Sequence, residues 1–100
     1  MDTRTLKHIL KEEMSLYAKQ GLNAYSYLTI SPDEHVYAVI DIAIIRGAQI
    51  VGAVLVARLM DNQIHIDLDL NDKLLVDALW ARGVPDNQLV LNYISEKVSA

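Results

Sequence analysis

Two neighbouring segments in the middle of the chain carry apolar residues at almost every position. Residues 39–45 and 50–57 read as a β-hairpin, but neither segment alternates cleanly between apolar and polar side chains. An antiparallel strand with one face in water does alternate, because successive side chains point to opposite faces. A hairpin that is apolar on both faces must be covered on both faces, and this requirement limits the fold more than any other feature of the sequence.

A helix is predicted before this hairpin, over about residues 5–20. Asp2 or Thr3 can cap its start by accepting a hydrogen bond from a free backbone N–H. Gly21 can end it in a left-handed turn. Apolar residues recur at helical spacing in Leu6, Ile9, Leu10, Met14 and Tyr17.

Four strands are predicted after this helix, over residues 25–30, 36–45, 50–59 and 64–70. Pro32, Gly47 and the segment 61–63 mark the turns between them. The connections are short, so an antiparallel meander is the simplest topology. In the last strand the apolar residues 64, 66, 68 and 70 are expected to face one way and His65, Asp67 and Asp69 the other.

A second, shorter helix follows the strands. Asn71 or Asp72 can cap its start, and Gly83 followed by Val84-Pro85 stops it. The apolar run 89–91 then docks on the domain or adds an edge strand, and the tail from Ser95 is expected to fray. The predicted fold is a single α+β domain over residues 1–100. It consists of an N-terminal helix, a four-stranded antiparallel meander sheet, a C-terminal helix and a short apolar extension.

Composition narrows the classes of function. The formal charge is −4 and the arginines are isolated, so binding of nucleic acid through a broad basic face is disfavoured. Cysteine is absent, which excludes disulfides, a thiolate nucleophile and a Cys-based zinc site. The first residues have no signal-peptide pattern, and polar residues interrupt the long apolar run 36–59. We therefore expect a cytoplasmic protein without a membrane segment.

The predicted polar face of the last strand is a weak candidate for a metal site. His65, Asp67 and Asp69 stand at i, i+2 and i+4, and one imidazole with two carboxylates can bind a divalent cation. Alternation in an amphipathic strand already explains this pattern. We predict no metal site and no cofactor.

Asp41 is the other polar residue that calls for an explanation, because it lies inside an apolar strand. It could be a carboxylate with a raised pKa that serves acid–base chemistry. The favoured interpretation is an ion pair with Arg58 or Arg46 across the sheet, or an edge position. The sequence contains none of the familiar catalytic spacings, so the chain is not predicted to be an enzyme.

The two-sided hairpin predicts an interface instead. Two helices can cover one face of a sheet, and a second copy of the chain is the economical cover for the other. Trp80 could anchor a contact, since interface anchors are often Trp. The predicted interface residues are Ile42, Ile44, Val51, Ala53, Leu55 and Trp80.

The order of motifs in the second half of the chain resembles the XisI family, the fdxN element excision controlling factors of cyanobacteria. The resemblance rests on segment 61–66 (Asp-Asn-Gln-Ile-His-Ile), Asn71-Asp72, and the stretch from Leu79 through Gly83-Val84-Pro85 to Leu89-Val90-Leu91. This chain departs from the family pattern on the hairpin. Ile44 replaces a frequent Trp, Val56 and Arg58 replace a polar His and Asp, and Asn92-Tyr93-Ile94 replaces a Gly-Phe-His ending.

The resemblance implies a small α+β fold with an antiparallel sheet. It also implies a role in the developmentally controlled excision of a DNA element, in the context of heterocyst differentiation, alongside a recombinase and a companion protein, XisH. From the two-sided apolar hairpin, the absence of a catalytic set of residues and this resemblance together, we expect a non-catalytic accessory protein that forms a homodimer and binds an XisH-like partner. The alternative is a small-ligand-binding domain or enzyme with a pocket beside Asp41 or the His65 strand face.

Overall fold

The computed structural model describes residues 1–94, so the tail expected to fray lies outside the described residues. The elements in chain order are α1 (Thr3–Ser15), β1 (Ala24–Ile30), β2 (Val36–Ile45), β3 (Ala48–Met60), β4 (Gln63–Asp69), α2 (Leu75–Ala81), a 3₁₀ turn (Asp86–Gln88) and β5 (Leu89–Leu91). The α+β class is confirmed. Within these residues, neither helix is long and apolar enough to cross a membrane.

The sheet has five strands in the order β1-β2-β3-β4-β5 within the described residues. The first four pair antiparallel with their neighbours, whereas β5 pairs parallel to β4 through Ile64↔Leu89 and Ile66↔Leu91. The antiparallel meander predicted for the first four strands is confirmed, and residues 89–91 take the edge-strand role that was one of the two predicted for them. The expectation of a purely antiparallel sheet of four strands is wrong, because β5 is a fifth strand and is parallel. The chain between β4 and β5 contains α2 and returns to the start of β4, and a crossover of this kind produces a parallel neighbour.

Helix α1 begins as predicted but ends five residues early. The Asp2 carboxylate accepts a hydrogen bond from the backbone N–H of Thr5 at 2.8 Å. After Ser15 the chain leaves the helix and runs along the outer edge of β1, where the Ser26 N–H donates to the Lys19 carbonyl at 2.6 Å. This edge pairing competes with further helical turns, so Gly21 does not end the helix.

Two tight turns shape the sheet. Arg46 and Gly47 both have positive φ, at 53° and 79°, between the paired residues Ile45 and Ala48. Two such residues form the hairpin loop whose twist matches that of the strands. The role predicted for Gly47 is confirmed. Asp61 and Asn62, with φ of 53° and 57°, make the next hairpin loop without glycine.

Both helices pack on one face of the sheet, which we call the helix-side face, and the opposite face is the open face. Residues of α1, α2 and the three central strands form the core, in which Tyr37, Leu55 and Ile66 are completely buried. The remaining core members are Leu6, Ile9, Leu10, Met14, Val39, Ala57, Leu59, Ile64, Leu75, Val76, Leu79 and Val84.

Two β-bulges change which side chains share a face. Val39 pairs with Leu55 but Ile40 pairs with Ala53, so Val54 is an extra residue in β3. In β4, Asp67 is the extra residue, because Val56 pairs with Leu68 and Ala57 with Ile66. A bulge places two residues opposite one and shifts the alternation beyond it.

Candidate protein-interaction surface

The β2–β3 hairpin extends beyond the rest of the sheet. β1 begins at Ala24, opposite Ala43, and β4 ends at Asp69, opposite Leu55. The end of the hairpin, residues 44–51, therefore has no strand on the outer side of β3, and residues 44–49 extend beyond β1 as well. We call this end the hairpin tip. It carries four large β-branched residues that are about half exposed: Ile44 (52%), Ile45 (53%), Ile50 (53%) and Val51 (55%).

The hairpin tip is apolar on both faces. Ile44 and Val51 belong to the open face, while Ile45 and Ile50 belong to the helix-side face, because neighbouring residues of a strand alternate. The expectation that the two helices cover one face of the whole hairpin is wrong at its tip. A helix of 13 residues, such as α1, is about 20 Å long, whereas a strand of 13 residues, such as β3, is about 43 Å long.

A second apolar area continues from the tip along the open face. We call it the open-face patch, and it consists of two rows of paired residues: Tyr25, Ile42 and Val51, then Tyr27, Ile40 and Ala53. Both tyrosines are 44% exposed, and their ring centroids are 6.5 Å apart. None of the six residues is charged. A contiguous apolar patch of this kind on a small domain is typical of an interaction surface.

The predicted interface residues divide among three places. Val51 and Ala53 lie in the open-face patch and Ile44 lies beside it at the tip, whereas Ile42 belongs to the same face but is only 8% exposed, since its neighbours already cover it. The prediction for Leu55 is wrong, since this residue is completely buried under the helices. Simple alternation puts Leu55 on the same face as Ala53, but the bulge at Val54 turns it to the opposite face.

Trp80 lies apart from this surface, on α2 in the helix layer. Its side chain is 47% exposed, and its indole N–H donates to the Asp86 carboxylate at 2.5 Å. The contact role of Trp80 stays a prediction, but it would belong to another surface. Sequence reasoning missed Tyr25, Tyr27 and Ile40. The pairing of β1 with β2 places them in the patch, and the aromatic character of β1 was the available signal.

The three candidate metal ligands do not converge. The bulge at Asp67 leaves His65 on the open face and turns Asp69 to the helix side, where its carboxylate accepts a hydrogen bond from the backbone N–H of Leu75 at 2.8 Å. The strict alternation predicted for this strand is therefore wrong beyond Ile66. Within residues 1–94, no group of three acidic or histidine side chains is placed to hold a metal ion.

Asp67 instead forms an ion pair on the open face. Arg58 Nε donates to Asp67 Oδ2 at 2.5 Å, and the second guanidinium contact is 3.1 Å long. Asn92 Nδ2 donates to the same carboxylate at 2.8 Å. The hydrogen bond from Arg58 and that from Asn92 lower the pKa of Asp67 below its ordinary value. This polar group borders the apolar part of the open face.

Asp41 is not paired with an arginine. It lies on the helix-side face and accepts a hydrogen bond from the Ser26 hydroxyl at 2.5 Å. Arg58, on the other face, pairs with Asp67, and Arg46 lies at the hairpin turn. The predicted ion pair is therefore wrong, because a serine on the adjacent strand satisfies the carboxylate.

Two shallow grooves formed by residues 1–94 lie away from both polar positions. One runs between the end of α1 and the start of α2, and is lined by Glu13, Leu16, Tyr17, Lys19, Lys73 and Ala78. Another lies beside the turn at Asp61 and Asn62. Neither groove includes Asp41 or His65. Among the surfaces described above, the apolar ones on the hairpin are the strongest candidates for binding.

The structure defines a small α+β protein with both helices on one face of a mixed sheet and an exposed apolar surface on the other. The family model described as XisI protein matches residues 2–100, and the chain belongs to the XisI family. No curated protein matches the sequence.

Solved structures share the fold. A XisI-like protein from Anabaena variabilis superposes with a TM-score of 0.73 and 17% identity, over 95% of this chain and 86% of that chain. The fdxN element excision controlling factor XisI from Anabaena variabilis gives a TM-score of 0.69 and 18% identity, over 99% of this chain and 100% of that chain.

Proposed function

We propose that this chain is a non-catalytic accessory factor in the control of DNA-element excision, and that it acts by binding an XisH-like protein. Membership of the XisI family supports the biological context, as does the similarity to a protein described as an fdxN element excision controlling factor. The polar residues considered as site candidates, Asp41, His65, Asp67 and Asp69, are separated in space or paired within the chain. The exposed apolar surface is the feature left to carry a function.

The observation that carries this proposal is the two-sided exposure of the hairpin tip. A single flat partner covers one face of a two-stranded hairpin and leaves the other in water. Ile45 and Ile50, each 53% exposed, form an apolar pair on the helix-side face. We propose that the XisH-like partner contacts this pair.

The surroundings of Ile45 and Ile50 leave room for a partner. Gly52 lies on the same face, and a Cβ built on it meets no atom within 4 Å. The helix layer ends near Val39 and Leu55, the outermost completely buried residues of the two strands on this face. The sheet therefore forms a step there, with Asp41, which is bonded to Ser26, at its inner end and the helices standing about 10 Å above it. A partner segment can lie on this part of the sheet against the apolar pair.

The alternative is a small-ligand-binding domain or enzyme, but neither groove described above includes Asp41 or His65, the two positions suggested by the sequence. Asp41 and His65 lie on opposite faces of the sheet, and Asp69 is used to cap α2. Direct binding of DNA is opposed by the net charge of −4.

The test is co-purification of the tagged chain with the product of the adjacent gene, followed by titration calorimetry. The wild-type chain is expected to bind, and the double variant Ile45→Glu with Ile50→Glu is expected to bind at least 100-fold more weakly, since two charges would be buried without partners. Val51→Glu, on the opposite face of the same hairpin, is the control and is expected to retain binding. Unchanged affinity of the double variant, with an intact circular dichroism spectrum, would contradict the proposal.

A further inference from the structure

We infer that a second copy of this chain covers the open-face patch, with a two-fold axis that runs along β2. This inference concerns the open face and does not depend on the partner proposed for the helix-side face. It rests on the lack of charge in the patch, on the sizes of its side chains and on its area.

The lack of charge in the patch limits what can cover it. All six residues are uncharged, and the nearest ion pair described above, Arg58 with Asp67, is satisfied within the chain. A covering surface that carried charges would bury them without partners, which is costly. The cover must therefore be apolar and uncharged where it meets the patch. A second copy meets this condition with its own patch, because a two-fold interface uses the same surface on both subunits.

In both rows of the patch the side chains become smaller from β1 to β3. In each row the β1 residue is a tyrosine, the β2 residue is an isoleucine, and the β3 residue is the smaller Val51 or Ala53. A two-fold axis along β2 places β1 of one copy over β3 of the other. Each tyrosine then lies over a small residue, and the isoleucines of the two copies meet near the axis. Two sheets packed face to face interdigitate in this way at a separation of about 10 Å.

The exposed area suits a dimer of moderate affinity. A tyrosine that is 44% exposed keeps about 100 Å² of surface accessible, and the whole patch together with Ile44 presents roughly 450 Å². A standard interface buries about 800 Å² on each partner, including a polar rim. Gln49 pairs with Ile44 and can supply part of that rim, whereas the Arg58–Asp67 pair is separated from the patch by the row of Ala38 and Val56. We expect a dissociation constant in the micromolar range, which is about −8 kcal/mol.

Adjacent residues on β3 provide a matched pair for the test. Val51 lies in the patch and Ile50 lies on the opposite face, yet their exposures are nearly equal, at 55% and 53%. The oligomeric state of the purified chain is measured by light scattering across a concentration range from micromolar to millimolar. The wild type is expected to dimerise, Val51→Glu to weaken the dimer at least 100-fold, and Ile50→Glu to leave it unchanged. A wild-type chain that stays monomeric throughout would overturn the inference, as would an equal loss in both variants.

Engineered cysteines test the position of the axis, because the chain contains no cysteine of its own. With a short bis-maleimide reagent, Ile40→Cys is expected to cross-link to itself. Tyr27→Cys is expected to cross-link to Ala53→Cys in a mixture of the two more strongly than either cross-links alone. Ile45→Cys on the helix-side face is the control. Cross-linking of Ile45→Cys in preference to Ile40→Cys would place the contact on the wrong face and reject the inference.

The two proposals can fail separately. If the two faces act independently, the variant changed at both Ile45 and Ile50 loses partner binding but still dimerises. Loss of the dimer in Val51→Glu leaves partner binding intact. A negative result for partner binding therefore does not count against the dimer, and a negative result for the dimer does not count against partner binding.

Discussion

The carboxylate of Asp69, at the end of β4, accepts a hydrogen bond from the backbone N–H of Leu75, the first residue of α2, at 2.8 Å. Its other oxygen accepts from the backbone N–H of Asn71 at 3.0 Å. Leu74, which immediately precedes the helix, makes no side-chain cap. The cap of α2 therefore comes from the preceding strand rather than from Asn71 or Asp72 as predicted. This contact links the helix layer to the sheet.

Replacing Asp69 by Ala should destabilise the protein by about 2 kcal/mol. The variant loses a helix cap and leaves backbone N–H groups near a buried site without a partner. Denaturant unfolding measures the change. Asp72→Ala, at an exposed position three residues further on, is the control and should change the free energy of unfolding by less than about 0.5 kcal/mol. Equal losses in the two variants would show that the cap does not stabilise the fold.

Two tyrosines should respond differently to removal of their hydroxyl groups. The Tyr37 hydroxyl is completely buried and has no hydrogen-bond partner among residues 1–94, whereas the Tyr17 hydroxyl donates to the Lys73 carbonyl at 2.7 Å. Tyr37→Phe should leave the free energy of unfolding unchanged or raise it, because no bond is lost. Tyr17→Phe should lower it by about 1 kcal/mol. A larger loss for Tyr37→Phe than for Tyr17→Phe would be inconsistent with these contacts.

The buried Tyr37 should make the protein less stable at alkaline pH. Burial raises the pKa of Tyr37 to about 12, compared with about 10 in an unfolded chain. The folded pKa is the higher one, so this contribution to stability is fully present below about pH 10 and is lost as pH rises towards 12. Thermal unfolding between pH 8 and 11 should show a shallower loss in Tyr37→Phe than in the wild type. Identical alkaline slopes would contradict the assignment.

Acid should remove the contribution of the Arg58–Asp67 pair. The folded pKa of Asp67 is depressed, chiefly by the hydrogen bond from Arg58. The stability it contributes is therefore present above the unfolded value of about 3.9 and is lost as pH falls through the folded value. The difference in unfolding free energy between the wild type and Asp67→Asn should shrink below about pH 4. A difference that stays constant from pH 7 to pH 3 would exclude this role.

Gly47 should tolerate substitution less well than Gly52. Gly47 has a φ of 79° in the hairpin turn, a conformation that costs an L-residue about 1 kcal/mol or more. Gly52 lies in a strand with an ordinary φ, and a Cβ built there meets no atom within 4 Å. Gly47→Ala should therefore lower the melting temperature by several degrees, while Gly52→Ala should keep or raise it. Calorimetry measures both melting temperatures. A larger decrease for Gly52→Ala than for Gly47→Ala would contradict the prediction.

Most of the local structure was predictable from the sequence. Periodicity located both helices and four strands, and the bounds of β2 agree with the prediction at both ends. Asp2 as the cap of α1 and Gly47 in the hairpin turn follow from local preferences that need no distant partner. The end of α1 did not follow, since the segment after Ser15 pairs with the edge of β1 and that pairing is not encoded locally.

The interaction surface was only partly predictable. Apolar composition identified the hairpin as the location of the interaction surface. Four of the predicted residues lie together on its open face: Ile42, Ile44, Val51 and Ala53. Alternation failed at Leu55 and at Asp69 because each follows a bulge. A bulge depends on how two strands align over their whole length, so no short pattern in one strand reveals it.

The sequence by itself therefore determined that this protein is a small α+β domain with a hairpin that is apolar on both faces. That conclusion depends only on the amount and periodicity of apolar residues. The tertiary structure decided which side chains share a face, that Asp69 caps a helix instead of joining His65, and that Tyr25 and Tyr27 extend the apolar surface. These outcomes depend on strand register and on the reach of the helices, and both are set by contacts between residues far apart in the chain.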